Sequence, residues 1–296
     1  MKNLNYINDK LKLHFDNYKV GHSFFQVLEY AMFPAGKLFR SQLVYALSSD
    51  LNSHTVNHEY FASAIEMHHT YTLIHDDLPA MDDDDYRRGR EATHKKFGEA
   101  NAILAGDALL GMSYGVLSNI RDNKLNDIIR LFHSKTGTAG LVLGQVLDLE
   151  NTEKSLDDVL LIHKLKTARL IQLALSGSNM LCENLLKEDE LEQFGEALGV
   201  TFQLLDDLCE LSDKISNHEA TINPFILFGE EIVCTKLLDN MKVIHKYLMK
   251  NKLINIQEVI EVYYSKVNST LELNRAKIDK YIESELLDDV LKFTSF

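Results

Sequence analysis

An acidic run at residues 76–89 limits how this part of the chain can fold. Its fourteen positions hold six aspartates and two arginines: Asp76, Asp77, Asp82, Asp83, Asp84, Asp85, Arg87 and Arg88. Two like charges about 4 Å apart cost roughly 4 kcal/mol at an effective dielectric near 20. A folded chain tolerates such a cluster on a solvated turn or around divalent cations. Magnesium suits it because this ion takes few carboxylates and fills its other positions with water and phosphate oxygens.

The two arginines just beyond the acids suggest what the metal would hold. Guanidinium groups bind phosphate oxygens in bidentate fashion, so Arg87 and Arg88 are candidate phosphate ligands. Acids, metal and arginines together predict a diphosphate bound through Mg²⁺. The alternative is an acidic surface loop with no ligand.

Composition favours an all-α fold. Glycine (14 residues) and proline (3 residues) are scarce among the 296 positions, and there is no tryptophan. Because glycine and proline interrupt helices, their rarity predicts long helices, and no strand alternation is visible. We predict one domain, residues 1–296: a bundle of about ten or more helices around a central cavity, with acidic motifs on two facing helices at its mouth.

Charge and hydropathy exclude several partner classes. The formal net charge of −13 argues against nucleic acid and anionic membranes, which are bound through excess lysine and arginine. The first residues lack the apolar segment of a signal peptide, and no window reaches eighteen uninterrupted apolar residues, so no membrane span is expected. Cys182, Cys209 and Cys234 are far apart and are expected to be reduced, mostly buried residues of a cytoplasmic protein.

Apolar spacing predicts where the helices lie. Gly21 is expected to separate two helices in the first thirty residues, and Pro79 to end a helix that runs from Glu59 to Asp76. Ser155 is expected to begin another helix. Further helical stretches are predicted at 99–121, 124–149, 231–250 and 256–273.

Two groups of side chains accompany the first acidic motif. Lys37 and Arg40 lie three positions apart, so they are expected to share a face at a helix start, where an anion can bind. Counting back from Asp76, Thr72 lies one turn and His69 two turns below it on roughly the same face, with Tyr71 beside them. A solvated basic patch and a satisfied core histidine are the alternative interpretations.

A second acidic cluster occurs at 202–210. Asp206 and Glu210 are four residues apart on one predicted helix face, Asp207 follows Asp206, and Gln203 lies a turn before it. Like charges at this spacing are destabilising unless a cation lies between them. The surrounding residues are largely apolar, which argues against a simple solvent-exposed face.

The order of these residues resembles the trans-isoprenyl diphosphate synthase family, most closely its bacterial farnesyl diphosphate synthases. The resemblance spans roughly residues 20–296. It rests on the following segments: Asp76 to Asp82 with Arg87-Arg88-Gly89, the run from Lys96 to Asp107, the run from Gly144 to Leu149, and the run from Phe202 to Glu210. It implies the isoprenoid synthase fold, a homodimer and Mg²⁺ as cofactor.

The resemblance also implies a reaction and a role for each candidate residue. An allylic diphosphate (dimethylallyl or geranyl) condenses head to tail with isopentenyl diphosphate to give farnesyl diphosphate. The implied roles are metal binding for Asp76, Asp77, Asp82, Asp206, Asp207 and Glu210; isopentenyl diphosphate binding for Lys37, Arg40, His69 and Arg88; allylic diphosphate binding for Arg87, Lys166, Thr167 and Gln203; and product length for Tyr71 and Thr72. Roughly three Mg²⁺ ions would neutralise the leaving diphosphate, and pyrophosphate itself would remove the proton.

The chain departs from the family pattern at several positions. Ala35 and Ser41 replace a glycine and a proline, Ala168 follows Lys166-Thr167 in place of glycine, and Glu210 is the third acid of the second motif. Ala220 takes the place of a family lysine, with Lys214 and His218 nearby. These departures leave three alternatives open: a geranylgeranyl diphosphate synthase, a paralogue that binds isoprenoid diphosphates without turnover, and a terpene cyclase.

Overall fold

The computed structural model describes residues 3–150, 153–212, 223–282 and 284–294, and these are mostly helical. The predicted all-α class is therefore confirmed. The helices in chain order are α1 (Leu4–Asp16), α2 (Phe24–Met32), α3 (Phe39–Asp50), α4 (Val56–Asp76), α5 (Thr93–Phe97), α6 (Glu99–Leu117), α7 (Leu125–Thr136), α8 (Leu141–Leu149), α9 (Leu156–His163), α10 (Arg169–Leu181), α11 (Glu188–Glu210), α12 (Pro224–Phe228), α13 (Glu230–Asn251), α14 (Ile254–Leu273), α15 (Arg275–Ile278) and α16 (Ser284–Thr294).

Local sequence signals account for several helix ends. The Ser155 hydroxyl accepts from the Asp158 amide at 3.3 Å, while the Asp158 carboxylate accepts from the Ser155 amide at 2.9 Å. This capping box begins α9 where the sequence predicted it. Helix α4 begins three residues earlier than predicted, because Thr55 and His58 form a similar box.

Three sequence-based expectations were wrong in detail. The stretch 124–149 forms two helices, α7 and α8, because the chain turns at Gly137–Gly140. Helix α3 begins at Phe39, so Lys37 precedes it and the two cations do not share a helix face. The structure also contains two short antiparallel strands, β1 (Tyr86–Arg87) and β2 (Arg90–Glu91). Strands of two residues are too short to produce an alternating pattern.

The hairpin between these strands depends on its turn residues. Arg88 and Gly89 connect β1 to β2 with positive φ angles of 54° and 74°. A two-residue turn with both φ angles positive matches the right-handed twist of paired strands, and glycine adopts this conformation without steric cost. The turn therefore holds Arg88 in a conformation that non-glycine residues adopt less often.

The chain forms two compact units, and the predicted single domain around a central cavity stays a prediction. The first unit comprises Met1–Leu131 and Gly177–Leu185; the second comprises Phe132–Ser176 and Leu186–Phe296. In the first unit, α4 packs along α6 and also contacts α1, α2 and α3. In the second, α11 packs against α13 and against a π-helical turn, Lys164–Ala168, that joins α9 to α10.

Close helix packing in each unit is permitted by glycine. A Cβ atom at Gly106 of α6 would lie 2.0 Å from His75 Nε2, so α4 and α6 approach where only glycine fits.

Within the described residues, α6 is the one helix long and apolar enough to cross a membrane, and 44% of that window is buried. A core helix passes the same test, so this is weak evidence against the predicted absence of a membrane span.

Candidate active site

The first acidic motif lies at the C-terminal end of α4. Asp76 is the last helical residue and Asp77 caps the helix. The chain then turns at Pro79, and the Asp82 amide donates to the Asp76 carbonyl at 2.9 Å. This bond brings the backbone of Asp82 beside that of Asp76 although six positions separate them, and the predicted sharing of one cation by their carboxylates stays a prediction.

Asp77 is paired with arginine in this structure. Its carboxylate is almost fully buried and accepts from Arg87 Nε at 2.8 Å and from Arg87 Nη2. The same guanidinium contacts Asp84 Oδ2 at 2.7 Å. Burial raises the pKa of the Asp77 carboxyl although Arg87 acts in the opposite direction. The position of Asp77 thus suits an anchor for Arg87, and its predicted role as a metal ligand stays a prediction.

The hairpin that carries these arginines is held against the end of α2. Arg90 donates from Nη1 to the Phe33 carbonyl at 3.0 Å and from Nη2 to the Tyr30 carbonyl. Its guanidinium also lies 4.0 Å from the centroid of the Tyr30 ring. Arg90 could not be selected from sequence patterns, because its partners are backbone carbonyls at the end of another helix.

Arg88 contacts the loop before α3. A Cβ atom added to Gly36 would lie 2.8 Å from the Arg88 Cζ and Nη2 atoms. Glycine at this position therefore lets the guanidinium lie directly against the backbone. Ala35, which replaces a glycine of the family pattern, does not prevent this approach.

A basic cluster of Arg40, His69 and Arg88 forms in the first unit. Burial lowers the pKa of His69 well below its usual value, and Arg40, Arg88 and Arg87 lower it further. Burial also lowers the pKa of the Arg88 guanidinium. His69 is therefore neutral and lies near the two guanidinium groups, and an anion bound beside them would compensate their positive charge. Lys37 lies just before this cluster, next to Leu38, whose φ of 51° turns the chain into α3.

A surface pocket opens beside the arginines. Its volume is about 50 Å³, and it is lined by residues of the first unit only. Its polar lining side chains include Asp77, Arg87, Arg88, Arg90 and Glu91. The pocket therefore presents cations to a ligand that enters from solvent.

Tyr71 and Thr72 lie in the interior of the same unit, one turn before Asp76. The Tyr71 side chain is buried, and its ring meets His68 edge to face at 4.5 Å and His75 at 5.7 Å between centroids. Burial raises the pKa of Tyr71 to about 12. The Thr72 hydroxyl donates to the His69 carbonyl at 2.8 Å. Both residues make packing or hydrogen-bond contacts within α4, and their predicted role in product length stays a prediction.

The second motif lies on the last turns of α11. Asp206 is half-buried, and its Oδ1 accepts from the Tyr263 hydroxyl at 3.2 Å. The Tyr263 ring stacks on Phe202 at 4.4 Å with an interplanar angle of 11°. Glu210 ends the helix and is exposed. Asp206 therefore has one oriented carboxylate oxygen with its hydrogen-bond partner already in place.

Asp207 has a different environment from Asp206. It is buried, accepts from Gln203 Nε2 at 2.9 Å, and lies 3.5 Å from His163 Nε2. Burial raises the pKa of Asp207 well above its usual value and lowers the pKa of His163 to about 4. Asp207 Oδ2 has no hydrogen-bond partner among the described residues, and the predicted role of Asp207 as a metal ligand stays a prediction.

Thr167 and Lys166 lie in the π-helical turn, next to these residues. The Thr167 hydroxyl donates to Gln203 Oε1 at 3.0 Å, which joins the turn to α11. Lys166 Nζ contacts Asp148 Oδ2 at 2.5 Å. Single π-helical turns inside helices occur frequently at functional sites. Asp148 belongs to a segment that follows the family pattern, but its pairing with Lys166 could not be read from the sequence.

The π-helical turn packs against Gly199 of α11. A Cβ atom at Gly199 would lie 2.3 Å from the Cα and Cβ atoms of Ala168. The glycine of α11 therefore makes room for Ala168, which replaces a glycine of the family pattern.

The segment containing Lys214, His218 and Ala220 lies outside the described residues, so the predicted loss of a lysine there is not addressed by the structure.

Comparisons with known proteins identify the family of this chain. The polyprenyl synthetase family model matches residues 22–221. The farnesyl diphosphate synthase of Micrococcus luteus is 37% identical over 226 residues, which cover 74% of this chain and 76% of that protein. The chloroplastic geranylgeranyl pyrophosphate synthase of Capsicum annuum is 33% identical over 202 residues, covering 66% of this chain and 55% of that protein.

A solved structure extends the likeness to the whole fold. The structure of geranyltransferase from Helicobacter pylori complexed with magnesium and isoprenyl diphosphate has a TM-score of 0.68 at 24% identity, covering 99% of this chain and 98% of that one. The predicted isoprenoid synthase fold is thereby confirmed. By family match and identity together, this chain belongs to the polyprenyl synthetase family and is a prenyltransferase.

Proposed function

We propose that this prenyltransferase condenses isopentenyl diphosphate with dimethylallyl or geranyl diphosphate to give farnesyl diphosphate. The observation that carries the proposal is the basic cluster of Arg40, His69 and Arg88. His69 lies seven residues before Asp76 on α4, and the cluster belongs to the same compact unit as the Asp76–Asp82 turn. A diphosphate needs cations, and this acidic chain concentrates them there. The relative from Micrococcus luteus, a farnesyl diphosphate synthase, supports farnesyl diphosphate as the product.

The donor set fits Mg²⁺. Asp76 and Asp82 offer hard carboxylate oxygens on both sides of one turn, and Asp206 offers a third in the second motif. Asp77 and Asp207 are more deeply buried, and they accept hydrogen bonds from Arg87 and Gln203, although Asp207 Oδ2 has no hydrogen-bond partner among the described residues. When bound, the metal neutralises the charge of the departing diphosphate.

The chain's own residues bind and orient the substrates. Arg40, His69 and Arg88, with Lys37, hold isopentenyl diphosphate so that its double bond faces the allylic carbon. Arg87 and Lys166 bind the allylic diphosphate, which for Lys166 requires exchange of Asp148 for a phosphate oxygen. The oriented dipoles of Thr167 and Gln203 stabilise the allylic cation. Pyrophosphate takes the proton, so no side-chain base is required.

Assembly and location belong to the same proposal. Apolar side chains of α6, among them Ile103 and Leu104, are 46% and 55% exposed, and a second copy of the chain would cover them. We therefore include a homodimer in the proposal. Cytoplasmic location is included because all three cysteines are free.

One assay separates the proposed function from its alternatives. The purified chain is incubated with isopentenyl diphosphate, geranyl diphosphate and Mg²⁺, and the dephosphorylated products are separated by chromatography. Farnesol as the main product supports the proposal, and geranylgeraniol supports the longer synthase. A cyclic hydrocarbon, or tight substrate binding with no product, contradicts it.

A further inference from the structure

Three side chains next to the hairpin form a group with no role in the proposed reaction. Asp83 and Asp85 precede β1, and His94 follows β2 in α5. One ligand atom from each residue, two carboxylate oxygens and one imidazole nitrogen, lies within 4.8 Å of the others. Neighbouring ligands at about 2.0–2.2 Å from one cation lie roughly 3.0–3.6 Å apart, so the two exposed carboxylates would move toward the imidazole on binding.

The state of His94 points to a ligand. The residue is only 5% exposed, and neither ring nitrogen has a hydrogen-bond partner among the described residues. A buried imidazole without a partner is costly, because both nitrogens have lost water and gained nothing in exchange. Asp83 and Asp85 are exposed, so the buried ring faces carboxylates that solvent ions can reach.

From this geometry we propose that Asp83, Asp85 and His94 form a binding site for a divalent transition metal such as Mn²⁺, separate from Asp76 and Asp82. The choice of metal follows from the donor atoms, which are two carboxylate oxygens and one imidazole nitrogen. Imidazole nitrogen favours first-row transition metals, whereas Mg²⁺ prefers oxygen ligands alone. Two carboxylates with one histidine suit Mn²⁺ among the commoner ions.

A metal ion bound at this site would restrict the hairpin, because the site lies at the base of the hairpin. The Ala92 amide donates to the Asp85 carbonyl at 2.8 Å, so Asp85 and Ala92 form the base of the hairpin. An ion shared by Asp85 and His94 ties that base together. The turn at the other end carries Arg88, so the bound ion restricts the segment that presents the arginines.

Lys95 competes for the same carboxylates. Its Nζ lies 2.5 Å from Asp85 Oδ1, and Asp83 also attracts it. If an ion binds at Asp83 and Asp85, this ammonium group must move away. Removing the lysine charge therefore strengthens metal binding, whereas removing the imidazole weakens it. The alternative is that Lys95 and Asp85 form only a surface ion pair and that His94 only packs against its neighbours. In that case neither substitution changes the affinity for the metal.

The test uses the metal-free full chain without substrate, titrated with Mn²⁺ and followed by electron paramagnetic resonance. Electron spin-echo modulation then detects nitrogen bound to the ion. The native chain is expected to show nitrogen coupling. We expect His94→Gln to lose that coupling and to bind Mn²⁺ about tenfold or more weakly, and Lys95→Met to bind it about fivefold more tightly.

Controls distinguish this site from others and guard against misfolding. His133→Gln, at an exposed histidine of α7, and Asp82→Asn, in the first motif, are expected to keep the nitrogen coupling. Asp85→Asn changes an exposed carboxylate without touching the buried ring, and it is expected to weaken binding as His94→Gln does. A native spectrum without nitrogen coupling, or a His94→Gln chain that binds Mn²⁺ as the native chain does, overturns the proposal.

Discussion

Arg87 Nε donates to the buried carboxylate of Asp77 at 2.8 Å, so the second aspartate of the first motif anchors an arginine of the hairpin. Removing Asp77 leaves the half-buried Arg87 guanidinium paired only with the more exposed Asp84. Asp77→Ala is therefore expected to lower the free energy of unfolding by about 2–4 kcal/mol. Urea denaturation measures the loss.

The same variant tests the predicted metal role of Asp77. If Asp77 mainly positions Arg87, the KM for geranyl diphosphate rises while the Mg²⁺ concentration for half-maximal activity stays unchanged. A large rise in that Mg²⁺ concentration, with stability intact, would instead identify Asp77 as a metal ligand.

Asp76 and Asp206 are expected to be indispensable. Asp76→Ala and Asp206→Ala each lower kcat by about a thousandfold or more, because each removes a carboxylate that neutralises developing charge through the metal. Asp127→Ala, at an exposed position of α7, serves as the matched control and keeps native activity. Turnover by the native chain in excess chelator at the Mg²⁺ rate is incompatible with this prediction.

Gly36 is expected to be intolerant of a methyl group. The Cβ of Gly36→Ala would lie 2.8 Å from the Arg88 guanidinium, which must then shift. A displacement of about 1 Å at a binding group costs up to about a hundredfold in rate. We expect the KM for isopentenyl diphosphate to rise about tenfold or more, with a smaller change for geranyl diphosphate.

Gly111→Ala provides the control for this substitution. Gly111 lies in α6 with nothing within 4 Å of an added Cβ. It is expected to leave both KM values unchanged and to stabilise the helix by about 0.5–1 kcal/mol. If Gly36→Ala behaves like Gly111→Ala, the contact between Gly36 and Arg88 does not position the arginine.

Stability is expected to fall as the pH drops below about 6.5. Burial lowers the pKa of His58 to about 4 and that of His68 to about 3. Between these values and the unfolded pKa, the unfolded chain binds protons that the folded chain does not, so acid favours unfolding. Each histidine removes about 2 kcal/mol between pH 7 and pH 5.

Urea denaturation at the two pH values measures this effect. His68→Gln is expected to reduce the difference by its own contribution of about 2 kcal/mol, whereas the exposed His133→Gln leaves it unchanged. An unaltered pH dependence in His68→Gln would mean that His68 is protonated in the folded chain.

Tyr71 is expected to limit product length. A tyrosine buries about 150–250 Å², and this one is held between His68 and His75. Tyr71→Ala removes the ring one turn from Asp76 and leaves room for another isoprene unit. We expect the main product to shift from farnesyl to geranylgeranyl diphosphate, detected by chromatography of the dephosphorylated products.

The alternative is that Tyr71 only packs against its neighbours. Tyr281→Ala, at a partly exposed tyrosine of the second unit, is the matched control and keeps the native product. An active Tyr71→Ala chain that still stops at farnesyl diphosphate shows that another residue sets the length.

The helices and the two acidic motifs could be predicted because their signals are local. Apolar spacing, the Ser155 cap and Pro79 act within a few residues of the structure they produce, so α4, α9 and α13 lie close to where the sequence placed them. The same argument failed at 124–149 and at Lys37. There the chain turns at Gly137–Gly140 and at Leu38, which apolar spacing does not detect.

Only the tertiary structure decided which charged groups are partnered. Lys166 pairs with Asp148, Tyr263 donates to Asp206, and Gly36 lies against Arg88. The partners are between 18 and 57 residues apart along the chain. Their contact depends on how helices pack, and a sequence pattern specifies residue types and spacing within one element but not the approach of two distant ones.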